Sequence, residues 1–345
     1  MSKIGVIDAD FLNSNTRFPN LALMKISGHY NADLINYEQV ADYDHVYLSK
    51  VFESTNVPED VLEQSNLNYG GTGFYFDNAD PLPAEIEHTM PNYTLYHDYV
   101  DKKPATKYYF DTSIGFTTRG CFRQCPFCVN RNATKSVKWS DLDEFVNPEH
   151  KRITLLDDNI LACKDRTHIL QALGDYNKPF EYKQGLDIRL INNEIAKILI
   201  ESKYYKDFVF AFDDYANKDL IIPKFDLWTD YESSIGKNTK IYLLCAYKSI
   251  DLQDICELFE RIRILFRYKF LPYVMRYKNW ENSEYRGMYI TITRWCNQPS
   301  LVKKKSFREF CQMFPDHYAP NRYLREFENR HPEVAAKYFD MRFGE

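Results

Sequence analysis

The chain has 345 residues and a formal net charge of −5, a length that predicts about two or three folded units. No apolar run approaches the roughly 18 residues of a membrane-spanning helix, and no signal peptide is recognisable, so we expect neither a membrane protein nor a secreted one. Eight cysteines in such a chain favour a reducing cytoplasm over a disulfide-linked fold.

The first 51 residues show the alternation of strand and helix that is typical of a small open α/β domain. Residues 3–8 are an apolar run with the look of a parallel strand buried on both faces. Residues 18–30 have apolar side chains at helical spacing, and residues 32–37 and 45–51 are predicted as two further strands. A G-x-G-x-x-G phosphate loop is absent, which excludes a dinucleotide site.

Residues 69–104 change in character. Gly70, Gly71 and Gly73 stand together, and four prolines then punctuate an irregular run. Glycine and proline clusters of this kind mark turns and connectors, so the segment is predicted to join two domains.

Beyond residue 112 the alternation of strands and helices becomes longer. Six strands are predicted at residues 113–118, 153–156, 182–188, 208–212, 241–247 and 273–277. Helical spacing of apolar residues separates them, most clearly at residues 192–202 and 251–266. Strands that alternate with helices predict parallel β-α units.

The first of these strands leads into three closely spaced cysteines. Cys121, Cys125 and Cys128 form a C-x3-C-x2-C array, with Gly120 placed to turn the backbone at positive φ. Zinc sites usually combine C-x2-C pairs with a second pair or with histidines, and no second pair follows here. Iron–sulfur cubes are normally held by four cysteines, so three on one loop predict a cube with one iron open to another ligand.

This array, with the aromatic Phe127 directly before its last cysteine, resembles the signature of the radical S-adenosylmethionine (SAM) superfamily. The resemblance implies that the three cysteines bind a 4Fe-4S cluster whose fourth iron takes the amino and carboxylate groups of SAM. A reducing electron donor such as flavodoxin or ferredoxin is implied as a partner, and SAM is cleaved to methionine and a 5′-deoxyadenosyl radical. Phe127 is expected to be a cofactor-binding residue.

The same resemblance implies the fold. We expect an α/β protein with a partial (β/α)6 TIM-like barrel at residues 106–280, a small open Rossmann-like domain at residues 1–105, and a helical, basic extension at residues 281–345. The N-terminal domain resembles the cobalamin-binding-type domain of some radical enzymes. It lacks the cobalt-ligating D-x-H-x-x-G motif, so cobalamin is not among the predicted cofactors.

Polar residues at the carboxyl ends of the predicted strands are the candidate site residues, because loops converge on one cavity at that edge of such barrels. Asp157, Asp158 and Asn159 stand where the superfamily places a G-G-E-type motif that binds the amino group of SAM; a cap on the next helix is the structural alternative. Arg189 is placed to bind a carboxylate or phosphate, with an ion pair to Asp187 as the alternative.

The later strand ends supply weaker candidates. Asp213 is placed to accept hydrogen bonds from the ribose hydroxyls of SAM. Cys245 is placed to donate a hydrogen atom to a substrate radical, against the alternative of simple burial. Arg276 is a second candidate for binding a carboxylate.

The C-terminal quarter is basic. Residues 261–345 hold 17 Lys and Arg against 9 Asp and Glu, whereas residues 1–260 hold 27 against 40. Residues 290–299 are predicted as one more strand and turn, and residues 302–314 as an amphipathic helix with Lys303, Lys304 and Lys305 beside its aromatic residues. Such a trio is able to face a phosphate backbone, or is simply the solvated side of the helix.

Three functional hypotheses follow. The first is a radical SAM enzyme that modifies a nucleic acid or nucleotide, which the basic quarter favours. The second is a radical SAM enzyme that acts on a peptide or small metabolite. The third is a non-enzymatic module that binds zinc through the three cysteines and associates through its basic tail.

Overall fold

The computed structural model describes residues 2–14, 18–98, 109–232 and 238–345. The chain forms two compact units, Met1–Gln184 and Gly185–Glu345. The predicted domain boundary at residue 105, and the last residues of the predicted connector, lie outside the described residues. The division into segments 1–105, 106–280 and 281–345 stays a prediction.

The first unit opens with a parallel sheet that confirms the predicted α/β start of the chain. Its strands are β1 (Ile4–Asp8), β2 (Asp33–Leu34), β3 (His45–Ser49) and β4 (Leu67–Gly70), in the order β2-β1-β3-β4. The central strand β1 is almost wholly buried, as expected of a parallel strand covered on both faces.

Two details of this sheet differ from the prediction. The predicted strand at residues 32–37 keeps only two strand residues, because Asn36 caps a short 3₁₀ helix with a capping box to Gln39. β4 was not expected, since it lies at the start of the Gly-rich connector and its side chains are half-buried or exposed. Sequence patterns detect buried strands far better than a polar edge strand of this kind.

Helices cover the first sheet. They are α1 (Ala9–Ser14), α2 (Leu21–Tyr30), α3 (Glu59–Leu62), α4 (Thr72–Tyr75) and α5 (Ala84–Glu87). The long helix α2 begins where the Asn20 side chain accepts hydrogen bonds from the first turn. It buries Leu23 and Ile26 in a cluster with Val6 of β1 and Ile86 of α5.

A second parallel sheet completes the first unit. It consists of β5 (Thr112–Gly115), β8 (Arg152–Leu155) and β9 (Phe180–Tyr182), with β5 next to β8 and β8 next to β9. Helix α6 (Arg166–Asp175) connects β8 to β9. Between β5 and β8 the chain forms a short antiparallel ribbon of β6 (Thr118–Arg119) and β7 (Val137–Lys138). The predicted third strand at residues 182–188 is displaced towards the N-terminus, since Ile188–Leu190 is a 3₁₀ helix.

The second unit contains a third parallel sheet. Its strands are β10 (Phe208–Ala211), β11 (Thr239–Cys245) and β12 (Leu271–Arg276), in chain order across the sheet. Alternate residues of β11 are fully buried and half-buried, so the two faces of the strand have different surroundings. The structure therefore shows a mixed α/β protein with parallel sheets, while the six-stranded partial barrel stays a prediction.

Helices form the rest of the second unit. They are α7 (Asn193–Glu201), α8 (Lys218–Glu232), α9 (Leu252–Arg267), α10 (Arg286–Cys296), α11 (Pro299–Val302), α12 (Phe307–Gln312), α13 (Ala319–Arg330) and α14 (Pro332–Tyr338). In the part of the chain that the structure describes, none of the helices is long and apolar enough to cross a membrane.

The strand predicted at residues 290–299 is wrong, because this segment belongs to helix α10 and the turn after it. The run of isoleucine and threonine favours a strand locally. The observed helix buries side chains at helical spacing, namely Met288, Thr291, Ile292 and Trp295, so tertiary packing overrides the local preference for a strand. The helix predicted at residues 302–314 is interrupted, since Ser306 starts α12 with its own capping box.

Candidate active site around the cysteine loop

The three cysteines lie on a closed loop. The β6–β7 ribbon brings the two ends of residues 120–136 together by pairing Thr118 with Lys138 and Arg119 with Val137. The loop therefore starts and ends at a fixed place beside β5. Such closure reduces the number of conformations available to the thiols between its ends.

Gly120 turns the chain from β6 into the loop. Its φ is +88°, and a Cβ atom at this position would lie 2.4 Å from the carbonyl oxygen of Lys135. Only glycine fits both constraints without displacement of the backbone. The prediction of a positive-φ glycine at this turn is confirmed.

The three cysteines of the loop are partly accessible. None of the eight cysteines, all within the described ranges, forms a disulfide bond. Cys121, Cys125 and Cys128 are half-buried, and a turn closed by the 2.9 Å bond from the Cys128 amide to the Cys125 carbonyl carries the last two. Phe127, the predicted cofactor-binding aromatic, is half-buried in the same turn.

The sulfur atoms of Cys121 and Cys128 accept hydrogen bonds. The backbone amide of Arg123 donates to the Cys121 sulfur at 3.4 Å, and that of Asn130 donates to the Cys128 sulfur at 3.4 Å. The side-chain amide of Asn159 adds a second donor to Cys121 at 3.3 Å. Hydrogen bonds to sulfur stabilise a thiolate and are one of the means by which proteins set iron–sulfur potentials.

Asp157 fixes the strand end from which the loop departs. Its carboxylate, 1% exposed, accepts hydrogen bonds from the backbone amides and the hydroxyls of Thr117 and Thr118, at 2.6 to 3.1 Å. Burial raises the pKa of this carboxyl group to about 6, although the four hydrogen bonds oppose the shift. Both carboxylate oxygens are thus engaged with the segment before Gly120.

Asp158 and Asn159 contact the loop directly. Asp158 accepts from the Gly120 amide at 2.7 Å with one oxygen and from the Asn130 side chain at 2.6 Å with the other. Asn159 donates to the Cys121 sulfur. The structure therefore brings the predicted D-D-N residues to the cysteines and uses them to hold the loop. Their predicted contact with the amino group of SAM stays a prediction.

A buried ion pair supports the entry to the loop. Glu87 of α5 accepts from Lys25 of α2 at 2.7 Å, from the Trp139 indole at 2.9 Å and from Arg119 at 3.4 Å. Burial opposes ionisation of Glu87, but these three donors hold the pKa of its carboxyl group below the usual range. Arg119 also stacks on the Phe116 ring at 3.6 Å. The residue before Gly120 is thus tied to the core of the first unit.

A further carboxylate holds the part of the loop that follows Cys128. Asp77 pairs with the guanidinium of Arg131 and accepts from the side-chain amide of Asn132. The Arg131 guanidinium lowers the pKa of Asp77. Sequence reasoning missed Asp77, Glu87 and Asn130, because acids and amides this distant in sequence have no spacing that links them to a cysteine motif.

The donor set fits an iron–sulfur cube. Among the residues that the structure describes, no three His, Cys, Asp or Glu side chains lie close enough together to hold a single metal ion. A cube makes a different demand, since each thiolate binds a different iron. Three half-buried cysteines on one closed loop, with N–H donors at the sulfurs of Cys121 and Cys128, are a donor set of the type that such a cube takes.

The remaining predicted residues lie in the second unit. Arg189 forms a bidentate ion pair with Asp187, at 2.6 and 3.1 Å, which is the structural alternative considered for it. Asp213 follows β10 and accepts from the Leu244 amide at 3.0 Å, and burial raises the pKa of its carboxyl group. Roles for Arg189 and Asp213 towards SAM stay predictions.

Arg261, which the sequence analysis missed, is buried at the carboxyl ends of β10 and β11. Its guanidinium, 2% exposed, donates to the carbonyl oxygens of Phe212, Asp213 and Leu244 at 2.8 to 3.1 Å. It therefore joins the carboxyl ends of β10 and β11. Its position within the apolar pattern of helix α9 gave no sign that it faces inwards.

Cys245 ends β11 on the fully buried face. It is 0% exposed, its thiol donates to the Met275 carbonyl at 3.4 Å, and burial raises its pKa to about 12. The group is a neutral thiol without access to solvent. Its role as a hydrogen-atom donor to a substrate radical stays a prediction.

A cavity of about 480 Å³ lies in the first unit beside the β6–β7 ribbon. Thr117, Lys138, Asp141, His168 and Tyr176 are among its lining residues. Lys138 and Asp141 form an ion pair with each other at 2.6 Å. No sequence motif pointed to these residues.

Comparison with known proteins bears on the fold. No protein-family model matches the chain, and no curated protein matches its sequence. The solved radical S-adenosylmethionine methyltransferase TsrM from Kitasatospora setae, with cobalamin and a [4Fe-4S] cluster bound, matches with a TM-score of 0.55 at 9% identity, over 80% of this chain and 75% of that chain. TsrM with tryptophan substrate and the SAM analogue aza-SAM bound matches equally well, over 77% and 71%.

A third solved structure, SuiB from Streptococcus suis, has 14% identity and a TM-score of 0.36 over 79% of this chain and 56% of that one, too low to inform the fold. The TsrM match shows a fold shared over most of both chains. At the level of the fold, this match agrees with the resemblance that the cysteine motif indicates.

Proposed function

We propose that the protein is a radical SAM enzyme. Cys121, Cys125 and Cys128 bind a 4Fe-4S cluster, SAM binds at the iron that they leave open, and the substrate is a nucleic acid or nucleotide. The observation that carries the proposal is the cysteine loop, held closed by the β6–β7 ribbon and by Asp158, with N–H donors at the sulfurs of Cys121 and Cys128. The fold shared with TsrM supports it.

When bound, the cluster supplies the electron that cleaves SAM, and the protein supplies position. Asp158 fixes both the start and the middle of the loop that carries the three thiols, which would hold the cluster. Asn159 places positive charge density against the Cys121 sulfur. Asp157 holds the strand end in register beneath them.

The wider setting belongs to the same proposal. We assign residues 106–280 to a partial barrel, with the N-terminal α/β domain and the C-terminal helices as flanking elements. Flavodoxin or ferredoxin in the cytoplasm would supply the electron. A barrel of this kind presents the carboxyl ends of its strands to the substrate, where polar side chains follow β8, β10, β11 and β12.

The test is anaerobic reconstitution with iron and sulfide, followed by dithionite reduction with SAM and detection of 5′-deoxyadenosine. We expect about four irons per chain and 5′-deoxyadenosine that disappears when the three loop cysteines are changed to alanine. Cys256→Ala is the matched control, since that thiol is also free and half-buried but lies on α9. A colourless protein that binds zinc and forms no 5′-deoxyadenosine would leave only the zinc-binding module.

A further inference from the structure

Two arginines converge on one tryptophan ring after strand β12. Arg276 is the last residue of β12, and its guanidinium carbon lies 3.9 Å from the centroid of the Trp280 ring. Arg286, the first residue of α10, lies 5.9 Å from the same centroid. Both arginines are exposed, and the tryptophan is half-buried. We call these three residues the Arg-Trp platform.

The platform differs from most of its surroundings in having no acidic partner. Within the described chain, neither Arg276 nor Arg286 forms an ion pair with a carboxylate. Other arginines of the basic quarter are neutralised locally, and their pairs are Arg308 with Glu328 and Asp340, Arg325 with Asp316, Arg330 with Glu284, and Arg342 with Glu309. The positive charge that remains at this strand end is thus available to an external anion.

The tryptophan orders the arginine without using its hydrogen-bond donors. A cation–π contact engages the face of the guanidinium, whereas its N–H groups point outwards in the plane. Arg276 is therefore held in place before any ligand binds, and its fork remains open for bidentate contact with an oxyanion. Two positive charges beside one ring repel each other, and an anion between them removes that repulsion.

Aromatic rings extend the platform along the same edge. Tyr247 and Tyr277 follow the ends of β11 and β12, and their rings meet edge to face at 5.1 Å. Lys278 is exposed between Tyr277 and the platform in sequence. Cations interleaved with aromatic rings are the pattern that holds single-stranded nucleic acid, the cations on phosphates and the rings on bases. Ligands of parallel sheets bind outside the carboxyl ends of the strands, where this pattern lies.

We propose that the Arg-Trp platform binds a phosphate and an adjoining base of a single-stranded nucleic acid. A lone carboxylate on a peptide or metabolite is satisfied by one guanidinium, and does not account for two unpaired arginines with an aromatic neighbourhood. The proposal names the substrate class of the enzyme proposed above and rests on that function for its catalytic meaning. The binding step itself needs neither cluster nor SAM.

The test measures binding by fluorescence anisotropy, with the full-length reconstituted protein and labelled 15-nucleotide single strands of RNA and of DNA over a salt series. Arg276→Gln with Arg286→Gln removes both charges, and the slope of log K against log salt should fall by about 0.7, the value for the loss of one phosphate contact on a single strand. Trp280→Ala should weaken binding about tenfold, and Trp280→Phe should retain most of it.

The matched control is Arg322→Gln with Arg325→Gln, which removes the same charge from arginines that are paired with Glu326 and Asp316. It should change the slope much less. The proposal is overturned if the wild-type protein binds neither strand, or if control and platform variants lose binding equally while both keep the wild-type melting temperature.

The same preparations separate this proposal from the proposed function. Cluster content and 5′-deoxyadenosine formation are measured on each sample before the binding series. A protein that cleaves SAM but binds no oligonucleotide refutes the platform and leaves the enzyme. A protein that binds oligonucleotide through the platform but forms no 5′-deoxyadenosine supports the platform and refutes the enzyme.

Discussion

Replacement of Asn159 by leucine tests whether this side chain tunes the cluster that we assign to the loop. The change removes the amide that donates to the Cys121 sulfur at 3.3 Å, and replaces a buried side chain by an apolar one of similar size. The Arg123 amide remains on the same sulfur. The variant should therefore still bind a cluster, with one sulfur less well stabilised.

The magnitude follows from the strength of one hydrogen bond. A hydrogen bond to a charged acceptor contributes about 1.5–3 kcal/mol. Only the additional stabilisation that the bond gives when reduction makes the acceptor more negative changes the midpoint potential. If about 1 kcal/mol is gained on reduction, then at about 59 mV per tenfold change for one electron the midpoint potential falls by about 40 mV. The reduced cluster should be harder to form, and 5′-deoxyadenosine should appear more slowly at a fixed dithionite concentration.

The assay is a redox titration of the reconstituted protein followed by electron paramagnetic resonance. Asn132→Leu is the matched control, because Asn132 lies on the same loop but donates to Asp77 and not to sulfur. It should leave the midpoint within about 10 mV of the wild-type value. An unchanged midpoint in Asn159→Leu, or an equal shift in both variants, would show that Asn159 does not act through the Cys121 sulfur.

Three further predictions concern the supports of the loop and the first sheet. Gly120→Ala should lower the free energy of unfolding by about 1–3 kcal/mol and reduce the iron bound on reconstitution, because the added Cβ atom meets a backbone carbonyl and the backbone has positive φ. Gly174→Ala is the control and should bind iron normally, since open space surrounds that position. Glu87→Gln should lower the free energy of unfolding by about 3–5 kcal/mol, because the buried Lys25 ammonium loses its carboxylate partner. Lys25→Met in the same chain should restore most of that loss in urea titrations. Burial raises the pKa of Asp8 to about 6, so the folded protein keeps a proton that the unfolded chain releases from about pH 4. The free energy of unfolding should therefore fall by up to about 3 kcal/mol as the pH rises from about 4 to about 6, and then level off. Asp8→Asn should flatten this pH dependence.

The cysteine loop could be predicted from sequence because its information is local. Three thiols within eight residues and a glycine at the turn define the loop wherever the chain places it, and Gly120 has the predicted positive φ. The strands β1, β3, β8, β10, β11 and β12 were likewise predicted close to their observed positions, since each is a short apolar run bounded by polar residues.

The contacts around the loop could not be predicted, because they join residues far apart in the chain. The position of Asp158 after β8 was clear, but its bonds to Gly120 and Asn130 depend on how β8 pairs with β5. The same holds for Arg261, whose buried guanidinium satisfies carbonyl groups at the ends of two strands. Tertiary packing also overrode local preference in α10, where a β-branched run forms a helix.

The measurement that tests the central claim most directly is electron paramagnetic resonance of the dithionite-reduced, reconstituted protein with and without SAM. We expect the signal of a reduced 4Fe-4S cluster held by Cys121, Cys125 and Cys128. Its g-values should change when SAM is added, because SAM then occupies the iron that the three thiolates leave open. The signal should be absent when these cysteines are alanine. A cluster signal that SAM leaves unchanged, or one that survives loss of the three thiols, would contradict the account.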